Sequence, residues 1–227
     1  MPLRRHPVLY RIAWLRRNRC SLLLAWLCLL ILVHPLLPSR PGAKSLSIGL
    51  LIVLLLACWA LRMRRSRLLL ALAVVAGAVV AIILSPGEQH WLRSVSVLAV
   101  VVLIGAVTVA LLRYVLDWHL ITTDKVFGAV SAYVLIALTF ACLFSLLQLV
   151  QPNAFHFNQV NNPDGVLSWS DAMYFSFTVL TSTGFGEITP VTDMARSLIV
   201  IEQVMGVMYV AFLVARLANL YGLSHRR

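Results

Sequence analysis

The chain has 227 residues, 61% of them hydrophobic and 12% charged, with a formal net charge of +11. A soluble domain carries about twice that share of charge, and several apolar runs approach the roughly 20 residues a helix needs to cross a bilayer. A soluble core is excluded, and a polytopic membrane protein is the class. The basic residues flank apolar runs and form no folded patch, so anionic lipid headgroups, not nucleic acid, are the expected partner of the charge.

Residues 1–20 are basic, and an apolar run follows over 21–37. This start mimics a signal peptide, but no small-x-small site follows and the run continues through His34 and Pro35, so it reads as a first span. Further spans are expected at 46–61, 68–84, 94–112, 126–150 and 194–221. Segments rich in Pro, Gly and charge mark the breaks, among them "HPLLPSRPGAK", "RMRRSR" and "QPNAFHFNQVNNPDG". Residues 21–112 form a four-helix scaffold, 113–125 a cytoplasmic linker, 126–221 a unit of different character, and 222–227 a short tail. Cys20, Cys28, Cys58 and Cys142 sit in or beside spans at spacings that match no zinc site or disulfide framework, so they read as packing residues. Trp14, Trp59, Trp91 and Trp118 fall near span ends, where interfacial anchors belong.

Charge sets the expected orientation. Fifteen Lys and Arg flank the spans on one side and four on the other. By the positive-inside rule both termini are cytoplasmic and the protein lies in the cell membrane. Six spans suggest a voltage-sensing architecture, but the fourth holds no arginine repeat; Arg93 and Arg113 only bracket it. Steep voltage gating by that device is not expected.

Between the fifth and sixth spans lies "SWSDAMYFSFTVLTSTGFGEITP". The apolar stretch 170–181 is about 18 Å long if helical, too short to cross, so it reads as a re-entrant helix. Ser170 followed by Asp171 offers a capping hydroxyl and an acid in the first turn. The carbonyl end of that helix would stabilise a cation. Gly184 and Gly186 permit backbone angles closed to other residues, so a strand over 182–187 can turn successive carbonyls to one side. Four copies about an axis would replace the water shell of a dehydrated ion. Ser182 adds a hydroxyl at the inner end, and Glu187 an acid at the outer mouth.

With these residues the sequence resembles the potassium-channel pore family, whose filter is usually Thr-Val-Gly-Tyr-Gly-Asp. The resemblance is close from Trp169 to Tyr221 and looser over the span before it. It implies K⁺ sites at Ser182, Thr183, Gly184 and Phe185, closed by Gly186, and an inner helix with its hinge glycine at Gly206, 24 residues beyond Ser182. The chain departs from the family at Ser182, Thr183 and Glu187. Thr183 has nearly the shape of valine but needs a hydrogen-bond partner behind the filter. The family's filter tyrosine bonds a pore-helix tryptophan; here Phe185, Tyr174 and Phe175 stand instead, and an apolar cuff is expected.

Several residues carry two readings. Gly206 is a close-packing site or a hinge. Glu202 is a costly acid within a span, with a structural hydrogen bond or a proton-sensing role. Val207, Val210 and Val214 share a helix face and line a cavity or merely pack. Asp193 caps the last helix, Asp164 is a loop charge, and His156 is solvated.

The expected fold class is thus an all-α membrane protein, with six transmembrane helices and a re-entrant pore helix and filter loop between the fifth and sixth. The expected function is a homotetrameric potassium channel without a charged voltage sensor. It needs no cofactor, K⁺ being the permeant ion. With only six residues after Tyr221, no ligand-binding domain is expected behind the last span, and any gating is expected from the filter, inner helices, lipid, pH or a separate regulatory partner. The rival readings are a weakly selective cation channel of the same fold and a non-conducting membrane subunit. An enzyme is the most distant, since no His lies near Ser182 in sequence.

Overall fold

Backbone N–H and C=O groups find no water inside a bilayer, so an apolar chain of this composition resolves into helices that satisfy them internally. The computed structural model describes residues 18–33, 90–117, 122–160, 162–163 and 165–224. Its elements in chain order are α1 (Arg19–Val33), α2 (His90–Leu116), α3 (Thr123–Val150), β1 (Phe155–Phe157), α4 (Trp169–Leu180), β2 (Ile188–Pro190) and α5 (Asp193–Ser224). The segments Ser94–Leu116, Thr123–Val150 and Asp193–Arg216 are long and apolar enough to cross a membrane, and α1 is a shorter apolar helix. The spans expected at 46–61 and 68–84 lie outside the described residues, as do Cys58, Asp164, Trp14, Trp59 and Trp118.

α2 and α3 run further than expected, which shortens the link over 113–125 to the stretch between Leu116 and Thr123. The reason is local. The Thr122 side chain accepts from the Lys125 N–H, and Asp124 lies in the first turn of α3, so capping and the helix dipole both favour an earlier start.

α3 is the central helix and the most buried of the three long ones, while α2 is buried along one side and α5 is mostly open. Val101, Ile104, Thr108, Leu111 and Val115 are buried along α2 at alternating three- and four-residue spacing, the stripe of a helix packed on one partner. That stripe meets Ala129, Ala132 and Leu135 of α3, with Cys20, Leu23 and Leu27 of α1 completing the cluster. Small residues allow close approach, as membrane helix interfaces require. A Cβ on Gly128 would lie 3.2 Å from both Cys20 Sγ and a Val115 methyl. Thr108 and Thr139 hydroxyls meet at 3.3 Å across the α2–α3 seam.

One end of the molecule is held by polar contacts. The Cys20 N–H donates to Asp124 at 2.9 Å. Arg216 of α5 donates to the Val115 carbonyl through Nη1 and to the Asp117 carbonyl through Nη2 at 2.5 Å. Lys125 Nζ donates to the same Asp117 carbonyl at 3.3 Å.

The opposite end holds a two-stranded antiparallel ribbon, with Phe155 facing Pro190, His156 facing Thr189 and Phe157 facing Ile188. The described residues are mostly helical, and this short ribbon is an addition that the all-α reading does not include. Phe155 and Phe157 are buried and His156 between them is exposed, the period of a strand, in a run too short to stand out in the sequence. Phe144 of α3 gathers Phe155 and Phe175 around it at ring separations of 5.6 and 5.2 Å. This aromatic cluster fixes the ribbon and α4 to the central helix.

The start of α4 is a correction. The cap is Ser168, not Ser170. Its hydroxyl accepts from the Asp171 N–H at 3.2 Å, and Asp171 Oδ2 accepts from the Ser168 N–H at 2.9 Å. The acid belongs three residues after the cap, where it reaches back to close the box. In α5 likewise, Thr192 Oγ1 accepts from the Ala195 N–H at 3.4 Å and takes the role expected of Asp193. Asp193 instead pairs with Arg196 at 3.8 Å in an exposed contact.

Candidate functional site

α4 is 12 residues long and packs against both α3 and α5. Its C-terminus is closed by the residues that follow. The Ser182 N–H donates to the Val179 carbonyl at 2.9 Å and the Thr183 N–H to the Thr178 carbonyl at 2.8 Å, while Ser182 takes φ 56°. This is the two-bond closure of a Schellman motif, with Ser182 at the left-handed position usually given to glycine. The Gly184 N–H adds a further bond to the Thr178 carbonyl at 3.2 Å.

From here every second residue is left-handed: Ser182 at φ 56°, Gly184 at 54° and Gly186 at 86°. The segment 182–186 is exposed along its whole length. Thr183, expected to need a partner, has Thr181 Oγ1 at 2.8 Å. Thr181 places its own hydroxyl 2.7 Å from the Phe177 carbonyl, so its proton is spent and Thr183 is the donor.

The apolar cuff expected of Tyr174, Phe175 and Phe185 is only half present. Tyr174 and Phe185 stack with ring centroids 6.3 Å apart and planes within 6°. Phe175 turns away and is buried with Phe144 and Phe155. Successive helical residues diverge by about 100°, so Tyr174 and Phe175 cannot share a face. Glu187 lies at the far end, where the Asn158 N–H donates to its carbonyl at 2.9 Å. Its side chain, hydrogen-bonded to the Tyr174 hydroxyl, holds that phenol above its ordinary range.

Behind the segment stand α3 and α5. Glu202 is fully buried and in hydrogen-bond contact with Ser176 of α4, whose Oγ also lies 2.7 Å from the Ala137 carbonyl oxygen of α3. The Tyr133 hydroxyl donates to the Leu180 carbonyl at 3.4 Å. A Cβ built on Gly206 would lie 2.9 Å from the Leu180 carbonyl carbon and closer still to its oxygen. Of the two readings of Gly206, this arrangement is the close-packing one. Tyr209 anchors the same stretch of α5 by donating to the Ala129 carbonyl at 2.7 Å.

Val207, Val210 and Val214 are all exposed on α5, at 57%, 47% and 59%. Val200, Val204, Met208 and Phe212 are open as well. Only part of the helix therefore faces its own chain.

A family model described as "Ion channel" matches residues 132–222, from the middle of α3 through α5. A curated relative, "Potassium channel protein kcv" of Paramecium bursaria Chlorella virus 1, is 36% identical over 63 residues, which cover 27% of this chain and 67% of the viral protein. The chain belongs to the potassium-channel pore family. It is a membrane protein of the potassium-channel class, and the matched residues contain α4, the 182–187 segment and nearly all of α5. No solved structure matches the chain.

Within this potassium-channel unit the structure draws Ser182, Thr183, Gly184, Phe185 and Gly186 into one continuous exposed stretch at the end of α4, followed by the half-buried Glu187. Glu202 and Gly206 sit behind it, and Val207, Val210 and Val214 lie further along α5. Sequence reasoning missed Ser176, Tyr133 and Thr181. Ser176, a small hydroxyl in an apolar helix six residues before Ser182, was the one signal available for the partner of Glu202.

Proposed function

We propose that this chain is one subunit of a tetrameric potassium channel that passes K⁺ passively along Ser182–Gly186. α4 serves as a re-entrant pore helix, and the whole chain has six spans with both termini in the cytoplasm of a cell-membrane protein. Ser182, Thr183, Gly184 and Phe185 offer oxygens to K⁺ as it sheds water, Gly186 completes the turn, and a ring of Glu187 concentrates cations at the outer mouth. Val207, Val210 and Val214 line the cavity below. No cofactor is required.

The observation that carries this reading is the alternation of φ at Ser182, Gly184 and Gly186 in an exposed segment that begins where the α4 carbonyls end. Exposed irregular backbone does not persist in lipid. It persists against copies of itself around a watery axis. One such segment per chain calls for four chains, and the open apolar surface of α5 supplies the contact between them.

A second reading, a weakly selective cation channel, draws on Phe185. Phe185 carries no hydroxyl, so at this position the filter meets the pore helix by ring contact where the family uses a hydrogen bond, and the Tyr174 hydroxyl reaches Glu187 instead. The test is flux through purified protein in liposomes with K⁺ and Na⁺ on opposite sides. A reversal potential near the K⁺ equilibrium value, lost in Gly184→Ala, supports the selective channel. A reversal near zero with robust current supports the weakly selective one. A folded tetramer that passes no ion at any pH or lipid composition tried overturns both in favour of a non-conducting subunit.

A further inference from the structure

Two oxygen–oxygen contacts meet at Ser176 Oγ, one to the Ala137 carbonyl at 2.7 Å and one to Glu202 Oε1. Each needs a proton between its oxygens. The serine hydroxyl has one proton to give, and a carbonyl has none. The second must come from the carboxyl group.

We infer that Glu202 is a neutral carboxylic acid that donates to Ser176, and that the chain Glu202 → Ser176 → Ala137 is a proton-dependent clamp positioning α4 between α3 and α5. The surroundings agree with the proton count. Glu202 is fully buried, and its second oxygen, Oε2, has no hydrogen-bond partner among the described residues. An uncompensated buried carboxylate is far more costly than a neutral acid with a bare carbonyl oxygen. From α3 the ionisable group facing it is the phenol of Tyr133. From α4 it is faced by Ser176. No basic side chain pairs with it among the described residues.

The sign of the device follows. While Glu202 is protonated, Ser176 is free to bond α3, and all three helices are joined. Removal of the proton at high pH forces Ser176 to turn its single hydrogen to the carboxylate and release the Ala137 carbonyl. The α3–α4 link is lost, six residues before Ser182. Glu202 is thus a positioning residue for the segment 182–186. Its consequence for conduction rests on the proposed function above, but its protonation does not.

Infrared spectroscopy of the full chain in lipid tests this independently of ion flux. The difference spectrum between wild type and Glu202→Gln at neutral pH is expected to show the carbonyl stretch of a protonated acid, replaced by carboxylate bands as the wild type is made alkaline. In Ser176→Ala that stretch moves to higher frequency, because the acid has lost its acceptor. Carboxylate bands alone at neutral pH would overturn the proposal, and the wild-type titration decides this even if Ser176→Ala does not fold. A protonated band that Ser176→Ala leaves unmoved would overturn the clamp. Should the clamp hold and liposome flux be absent, only the channel reading falls.

Discussion

The backbone of Gly206 lies against the carbonyl of Leu180, the last residue of α4, with no room for a side chain between them. This contact joins the inner end of the candidate filter to the middle of α5. Of the close-packing and hinge readings that the sequence leaves open for this glycine, the contact is what the close-packing one describes.

Gly206→Ala separates the two effects of that residue. Helix propensity alone would stabilise the alanine variant by about 1 kcal/mol. The new methyl must instead displace α5 from a backbone carbonyl, an overpacking that costs about 1–3 kcal/mol. The variant is expected to melt lower than wild type in detergent. An unchanged or raised melting temperature would show that α5 does not rest on Leu180.

Ser182 occupies a left-handed position at φ 56°, which costs an L-residue about 1–2 kcal/mol. Ser182→Gly removes that cost and is expected to be at least as stable as wild type, while losing the hydroxyl that the proposed function assigns to K⁺. Ser182→Val adds a β-branched side chain in the same conformation and is expected to lose stability by about 1–2 kcal/mol. Thermal unfolding of the pair gives the order, and the reverse order would mean that Ser182 is not left-handed.

Arg216 donates to two carbonyls at the C-terminal end of α2, on Val115 and Asp117. Charge-assisted bonds of this kind contribute about 1.5–3 kcal/mol each. Arg216→Ala is expected to speed amide exchange through the last turn of α2 about tenfold or more. Arg216→Lys should restore only part of the protection, since an ammonium lacks the planar fork that reaches both oxygens. Wild-type protection in Arg216→Ala would remove the tether.

Glu187 is a charge at the mouth of the proposed pathway, so its effect must be screened. At about 0.01 M salt the Debye length is about 30 Å, and at about 1 M it is about 3 Å. Glu187→Gln is expected to lower single-channel K⁺ conductance several-fold in dilute salt and to match wild type in concentrated salt. A deficit independent of salt would point to a structural fault in the filter. The Tyr174–Glu187 contact would then be the place to look.

Legibility differed from one part of the molecule to another. The spans of α2, α3 and α5 were plain in the sequence because hydropathy is a property of consecutive residues. The segment 182–187 was plain because glycine and its neighbours are constrained by their own backbone. Capping was half legible. An acid near a serine announced the start of α4, but choosing Ser168 over Ser170 needed the reach of Asp171 back to the cap. The ribbon of β1 and β2 escaped notice, being two three-residue strands whose pairing partners are 31 to 35 positions apart.

By itself the sequence determined the class of protein, the order of its helices and the place of the candidate ion path. Each follows from composition and spacing within one element. Tertiary structure alone decided that Gly206 is a contact, that Phe175 leaves the filter for Phe144, that Arg216 caps α2 and that Glu202 finds Ser176. These pairings join residues 26 to 101 positions apart, and which of them form depends on how helices pack. In a lipid setting that packing is governed by fit and hydrogen bonding between surfaces, which no local pattern of apolar residues encodes.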